Sequence, residues 1–270
     1  MSLLLELQDL GLQANGLPLV TGLSLQVRSG ERWCVIGRNA SGKSTLLRAV
    51  AGLPVPAQQG RVRLHGLAAT GPHAAILRAY MPQHSQDRFA LRVADLLSLQ
   101  AQATGLAAAT GRAPAATDAR SSRLRPTELA VQPKPHAMQP VAQALDIAPL
   151  LGRPVTQLSG GERQRVALAA VALQNVGLWL LDEPVSFQDP AHQGLVAQWL
   201  CGQGAQAMLM SAHDMAWVQR TATHVLALLP GGAWRAGPVH EVLSAATLQA
   251  TFGCAWQQLG EGAERIWVAR

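Results

Sequence analysis

The chain is 270 residues long and 49% of it is apolar, enough for a sizeable core and too much for overall disorder. Its formal net charge of +6 suits contact with acidic surfaces of lipid, nucleic acid or protein without choosing among them. No uninterrupted apolar run reaches the roughly 18 residues of a membrane span, so no transmembrane helix is predicted.

The start, MSLLLELQDLGLQ, has no basic residues and carries Glu6 and Asp9, so no signal peptide is expected. Residues 23–27 alternate like a half-buried strand, and Trp33–Ile36 reads as a buried strand ending in Gly37. Residues 43–51 read as a helix stopped by Gly52 and Pro54. Arg61–His65 predicts another strand, Tyr80–Gln83 a strand end, and Val93–Ala103 a helix.

Residues 104–140 change character. They are rich in Ala, Thr, Pro and Arg, including Pro114, Pro126, Pro133, Pro135 and Pro140, and read as a loop-rich insertion. Arg112, Arg120, Arg123 and Arg125 lie within it, on a solvated loop or against anionic headgroups or a partner. Helical pattern returns at Val141–Leu145. Leu178–Leu181, Met208–Met210 and Val225–Leu229 are short apolar runs of the parallel-strand kind, with helices expected at 163–174, 191–200 and 214–221. Alternating strands and helices predict an α/β fold with a mostly parallel sheet covered on both faces. Gln83 to Leu158 reads as helix and loop only, a helical subdomain inserted in that core.

Cys34, Cys201 and Cys254 form neither a disulfide framework nor a zinc spacing, so a reducing compartment is expected. The histidines at 65, 73, 84, 136, 192, 224 and 240 show no metal spacing either.

Three segments carry chemistry. Gly37-Arg38-Asn39-Ala40-Ser41-Gly42-Lys43-Ser44-Thr45 follows a predicted strand and opens a helix. Its spacing is that of a phosphate loop, whose bare amides and helix N-terminus attract anionic oxygens. Lys43 would neutralise the β- and γ-phosphates and Ser44 ligate Mg²⁺. In Leu178-Trp179-Leu180-Leu181-Asp182-Glu183-Pro184, two carboxylates end a buried strand of the same sheet. Asp182 would hold Mg²⁺ through water, and Glu183 would orient or deprotonate the attacking water. The third segment is Leu158–Ala170. Ser159 and Glu162 have the spacing of a helix capping box. That does not explain Gly160 and Gly161, each costing about 1 kcal/mol against alanine in a helix. Bare amides at a helix start suit the close approach of an anion, so cap and anion site are read as one object.

These segments resemble the nucleotide-binding subunit of ABC (ATP-binding cassette) transporters. LSGGERQ matches the family signature, GRNASGKST its Walker A and LLDEP its Walker B. Gln83 in YMPQ matches the Q-loop glutamine, Asp189 in SFQDP the D-loop, and His213 in MSAHD the switch histidine. The resemblance spans roughly residues 3–250.

It implies a P-loop NTPase core (1–83 and 159–250) with a mostly parallel sheet, an antiparallel β subdomain and an α-helical subdomain at about 84–158. A C-terminal extension follows at about 251–270. It implies ATP and Mg²⁺ as ligands, with Glu183, His213 and Gln83 as catalytic residues. Ser44, Gln83 and Asp182 would serve the metal. It further implies a homodimer in which the signature residues Ser159, Gly160, Gly161 and Gln164 serve the nucleotide held by the other copy's Walker A, a self-consistent two-fold arrangement, with Asp189 also binding nucleotide. Separate transmembrane permease subunits would be the partners, a periplasmic substrate-binding protein would act indirectly, and no direct nucleic-acid contact is expected. The location implied is peripheral, on the cytoplasmic face of the inner membrane.

Departures from the family pattern are specific. Gln13 or Ala14 falls where an adenine-stacking aromatic is usual. Val185 follows Pro184 in place of threonine, and Gln188 precedes Asp189 in place of leucine. Ala40 replaces a commoner glycine and requires either negative φ or mild strain. None of these removes a phosphate- or water-handling group, so ATP hydrolysis is expected. RAYMPQ, FALRVADLLSL, DPAHQ and AHDMAWV resemble importers of iron–siderophores, haem and cobalamin. A soluble ABC ATPase acting on nucleic acid or the ribosome is the alternative, but heptad arms, zinc cysteines and a second cassette are missing. An unrelated P-loop kinase would have no use for the signature.

Overall fold

A computed structural model describes residues 1–70, 74, 76–83, 91–109, 137–260 and 266–270. The loop-borne arginines at 112, 120, 123 and 125, and the histidines at 73, 84 and 136, lie outside these residues.

The chain opens with two long antiparallel strands, β1 (Leu3–Ala14) and β2 (Leu17–Arg28). The sequence reading found only the second half of β2. β1 escaped because its two-residue period is broken by register shifts. Between the pairs Leu7↔Leu25 and Leu10↔Leu23, β1 advances three residues while β2 advances two. Asp9, with φ of 50°, takes up the extra residue. β4 (Gln58–Leu64) and β5 (Leu67–Ala68) complete this antiparallel sheet in the order β2-β1-β4-β5.

The second sheet holds β3 (Arg32–Ile36), β6 (Arg78–Met81), β7 (Leu178–Leu181), β8 (Ala207–Ser211), β9 (His224–Leu228) and β10 (Trp234–Pro238). Its order is β10-β9-β3-β8-β7-β6, parallel throughout except for the antiparallel edge strand β10. Both faces are covered, so its strands are apolar on both sides. In β7, Leu178 and Leu180 face the core shared with the antiparallel sheet and α1 (Lys43–Val50), while Trp179 and Leu181 face the opposite core.

That opposite core is built on α2 (Val93–Ala109), α3 (Met138–Ala144), α4 (Gly160–Leu173), α5 (Pro190–Cys201) and α6 (Met215–Thr221). α2 continues six residues past the predicted end at Ala103, so the irregular stretch does not begin at 104. α3 starts earlier than predicted, at Met138. Pro140 sits in its first turn, where a missing N–H costs nothing. Between β6 and α4 the described residues form helices, short 3₁₀ turns and one isolated bridge, Arg92 with Pro154. The chain closes with α7 (Val239–Val242), α8 (Ala245–Phe252) and a hairpin of β11 (Trp256–Leu259) and β12 (Ile266–Ala269), none of which the periodicity announced.

The topology places the chemistry. β3, β8 and β7 are neighbours and parallel, so their C-terminal ends open on one edge. Residues 37–42, Asp182–Glu183 and His213 all follow these ends, where open α/β sheets bind ligands.

Candidate functional site

The loop after β3 is shaped by close packing. A Cβ on Gly37 would press on Ser41 Oγ and lie 3.2 Å from the Leu228 carbonyl oxygen. Gly42 precedes α1 at φ 99°, and a Cβ there would approach Leu19 Cβ to 2.9 Å. Ala40 takes φ 61°, so of the two expectations for this residue mild strain is the one found, a cost of about 1–2 kcal/mol. Lys43 turns back across the loop. Its Nζ donates to the carbonyls of Gly37 (2.9 Å) and Arg38 (3.0 Å). Burial lowers its pKa, against the opposite pull of Glu183 and Asp182. The Ser41 hydroxyl is buried without a partner among the described residues.

At the end of β7, Asp182 is 2% exposed and its Oδ1 accepts from Ser211 Oγ at 2.5 Å. The same Ser211 oxygen accepts the Glu183 amide at 2.9 Å. Glu183 has a left-handed backbone, φ 53°. Its Oε1 lies 2.5 Å from His213 Nε2, and its Oε2 accepts from Ser186 Oγ at 2.7 Å. Burial pushes the Glu183 pKa up, but the Ser186 hydroxyl, His213 and Lys43 together outweigh it and hold the carboxyl below its ordinary value.

Asn39 through Thr45, Gln83, Glu183 and His213 line one hollow of about 740 Å³. Ala14 and Leu19 form its apolar wall. Ala14 thus occupies the place read from the sequence as lacking an aromatic. Gly37 and Arg38, with Asn39 and His213, line an adjoining hollow of about 380 Å³ that Phe252 closes. The donor set of Ser44 hydroxyl, Gln83 amide oxygen and Asp182 carboxylate is all hard oxygen, which fits Mg²⁺.

Neither Asp182 nor the remaining candidates line these hollows. Ser159 caps α4: Ser159 N donates to Glu162 Oε2 (2.8 Å) and Glu162 N to Ser159 Oγ (3.3 Å). The glycine pair has a steric role that the sequence did not show. A Cβ on Gly160 would meet Phe187 Cβ at 3.2 Å, and one on Gly161 the Phe187 carbonyl oxygen at 2.8 Å. Gln164 is buried and spends its amide within the chain, donating from Nε2 to the Glu183 carbonyl at 2.5 Å. Asp189 caps α5 by accepting the His192 amide at 2.9 Å. The start of α4 is therefore bound to the loop 183–189 that carries Glu183.

Ser211, Ser186, Phe187 and Phe252 are the residues that reasoning on the sequence missed. Ser211 and Ser186 sit two and three residues from His213 and Glu183, so their proximity was readable, but their orientation was not.

Residues 20–186 match the family described as ABC transporter. The hemin import ATP-binding protein HmuV of Streptomyces coelicolor is 36% identical over 246 residues, 88% of this chain and 79% of that protein. The vitamin B12 import ATP-binding protein BtuD of Vibrio cholerae is 35% identical over 244 residues, 86% and 87% of the two chains. The solved ATP-binding subunit of an ABC transporter superposes with a TM-score of 0.70 at 22% identity, covering 88% of this chain and 91% of its own. At that identity the likeness is one of fold.

Proposed function

The chain belongs to the ABC transporter family, and from that premise we propose that it is the ATP-hydrolysing subunit of an importer of a metal chelate, whether cobalamin, an iron–siderophore or haem. The observation that carries the reading is one hollow holding the Lys43 loop at one end and the hydrogen-bonded pair Glu183–His213 at the other. A triphosphate entering the loop offers the Lys43 ammonium better acceptors than the two carbonyls it now holds, and Ser41 Oγ gains its missing partner. Ser44, Gln83 and Asp182 would hold Mg²⁺, which would supply charge neutralisation at the phosphate oxygens.

Glu183, kept ionised, accepts a hydrogen bond from the attacking water and takes its proton. For this His213 first turns from Glu183 towards the γ-phosphate, which frees Oε1 for the water. Two copies close around two ATP, each presenting Ser159, Gly160 and Gly161 to the nucleotide of the other. The helical subdomain 84–158 docks on separate transmembrane permease subunits on the cytoplasmic face of the membrane, with a periplasmic binding protein delivering cargo. Among the described residues no helix is long and apolar enough to cross a membrane, in keeping with spans supplied by other chains. The test is steady-state phosphate release from ATP and Mg²⁺ by the purified chain and its Glu183→Gln variant. Equal turnover in both would overturn the assignment.

A further inference from the structure

His192 is the third residue of α5, outside the hollow, and sits between two carboxylates. Its Nδ1 is 2.7 Å from Asp189 Oδ2, and its Nε2 is 3.3 Å from Asp146 Oδ2. Asp189 is the cap of α5 and the last residue of the loop that begins at Glu183. Asp146 follows α3, on the segment that packs against α4. The ring thus spans the two carboxylates, with one nitrogen within hydrogen-bond distance of each. The His192 amide and ring hold Asp189 below its ordinary pKa, so its half of the bridge stays charged. The ring is 27% exposed, less than either carboxylate, at 60% for Asp146 and 58% for Asp189. Asp146 is held at φ 52°, a left-handed backbone unusual outside glycine, and from there it reaches the ring.

We propose that the bridge Asp146–His192–Asp189 makes His192 a positioning residue, tying the α3 segment to the loop 183–189 so that movement of the helical region resets Glu183. The proposal rests on the ATPase reading but names a device outside its catalytic residues. Other ties hold the loop as well: Gln164 on the Glu183 carbonyl, Ser211 on the Glu183 amide, His213 on its carboxylate and Phe187 on the glycine pair. Of these contacts, the bridge is the one that reaches Asp146, in the part of the helical region before α4. Loosening it leaves the phosphate loop untouched and disturbs the placement of the attacking water.

The test uses the full chain. Asp146→Gly suits the left-handed backbone while removing the carboxylate, and His192→Asn keeps a polar group near Asp189 but is too short to reach Asp146. Each variant is expected to lower kcat roughly fivefold with KM for ATP unchanged, as for the loss of one partly exposed charged contact. The double variant should be no worse than either, and Asp146→Glu should restore turnover. Backbone amides of 186–193 should exchange hydrogen faster in Asp146→Gly than in the parent chain. Unchanged kcat, or additive losses in the double variant, overturns the bridge. In a parent chain that shows no turnover, the ATPase reading fails, and the bridge is then decided by exchange alone: unchanged exchange overturns it.

Discussion

Glu183 and His213 are joined by a contact of 2.5 Å between Oε1 and Nε2, while Ser186 holds the other carboxylate oxygen. Each oxygen thus has a partner inside the chain, and under the proposed function ligand entry would draw His213 away and open Oε1 to the attacking water.

Replacing Glu183 with Gln keeps the shape and removes the proton acceptor. Turnover should fall by about 10²-fold or more, the usual weight of a general base. Binding of a fluorescent ATP analogue should stay within about threefold of the parent, because Lys43 and the loop amides are untouched.

With Glu183 as the base of the proposed reaction, its ionisation is expected to set the acid limb of activity. The folded value lies below the ordinary 4.5, so the ionised carboxylate's stabilising contribution is complete above the ordinary range and is lost as pH falls through the folded value. Removing the Ser186 hydroxyl takes away the leading interaction that lowers it. In Ser186→Ala the acid limb of the pH–rate profile should move upward, because the carboxylate loses a hydrogen bond to its ionised form. An unmoved limb would mean that another group limits the rate at low pH.

The glycine pair should respond unequally to alanine. A methyl on Gly161 meets a backbone oxygen at 2.8 Å, whereas one on Gly160 meets side-chain carbons of Phe187 at 3.2 Å. Gly161→Ala should cost about 1–3 kcal/mol in thermal unfolding, and Gly160→Ala distinctly less. Ser159→Arg, by contrast, should leave nucleotide binding to the Lys43 loop intact while blocking dimer closure and hydrolysis. Loss of binding in the isolated monomer would make this stretch ordinary scaffold.

Ala14 lines the apolar wall of the hollow beside Leu19. An aromatic there would give a base something to stack on. Ala14→Tyr should tighten ATP binding by about 1 kcal/mol or more, the scale of base–aromatic stacking. Calorimetric titration that shows no gain would place the base elsewhere.

Much was legible in the residue order because the signals are local. A phosphate loop needs a strand, glycines and a helix in immediate succession, so residues 32–50 could be read directly. Leu178–Leu181 stood out because a strand buried on both faces is apolar at every position. Strand β1 was not legible, since a bulge at Asp9 breaks the alternation on which strand reading depends. The hairpin β11–β12 was equally hidden: one face carries Trp256 and Trp267, packed on the core, and the other exposes Leu259, Ile266 and Val268, so apolar residues lie on both faces.

The residue order alone established the chemistry available: a phosphate loop, two carboxylates, a histidine and a glycine-led helix, each specified by spacing within a few residues. Folding settled which of these meet. β3, β7 and β8 lie far apart in the chain, and their hydrogen-bonded order brings Lys43, Glu183 and His213 to one hollow. The same packing gave Gly161 a steric reason, through Phe187, and joined His192 to Asp146 across 46 residues. Contacts of that kind depend on where whole elements come to rest, and no local period or spacing encodes them.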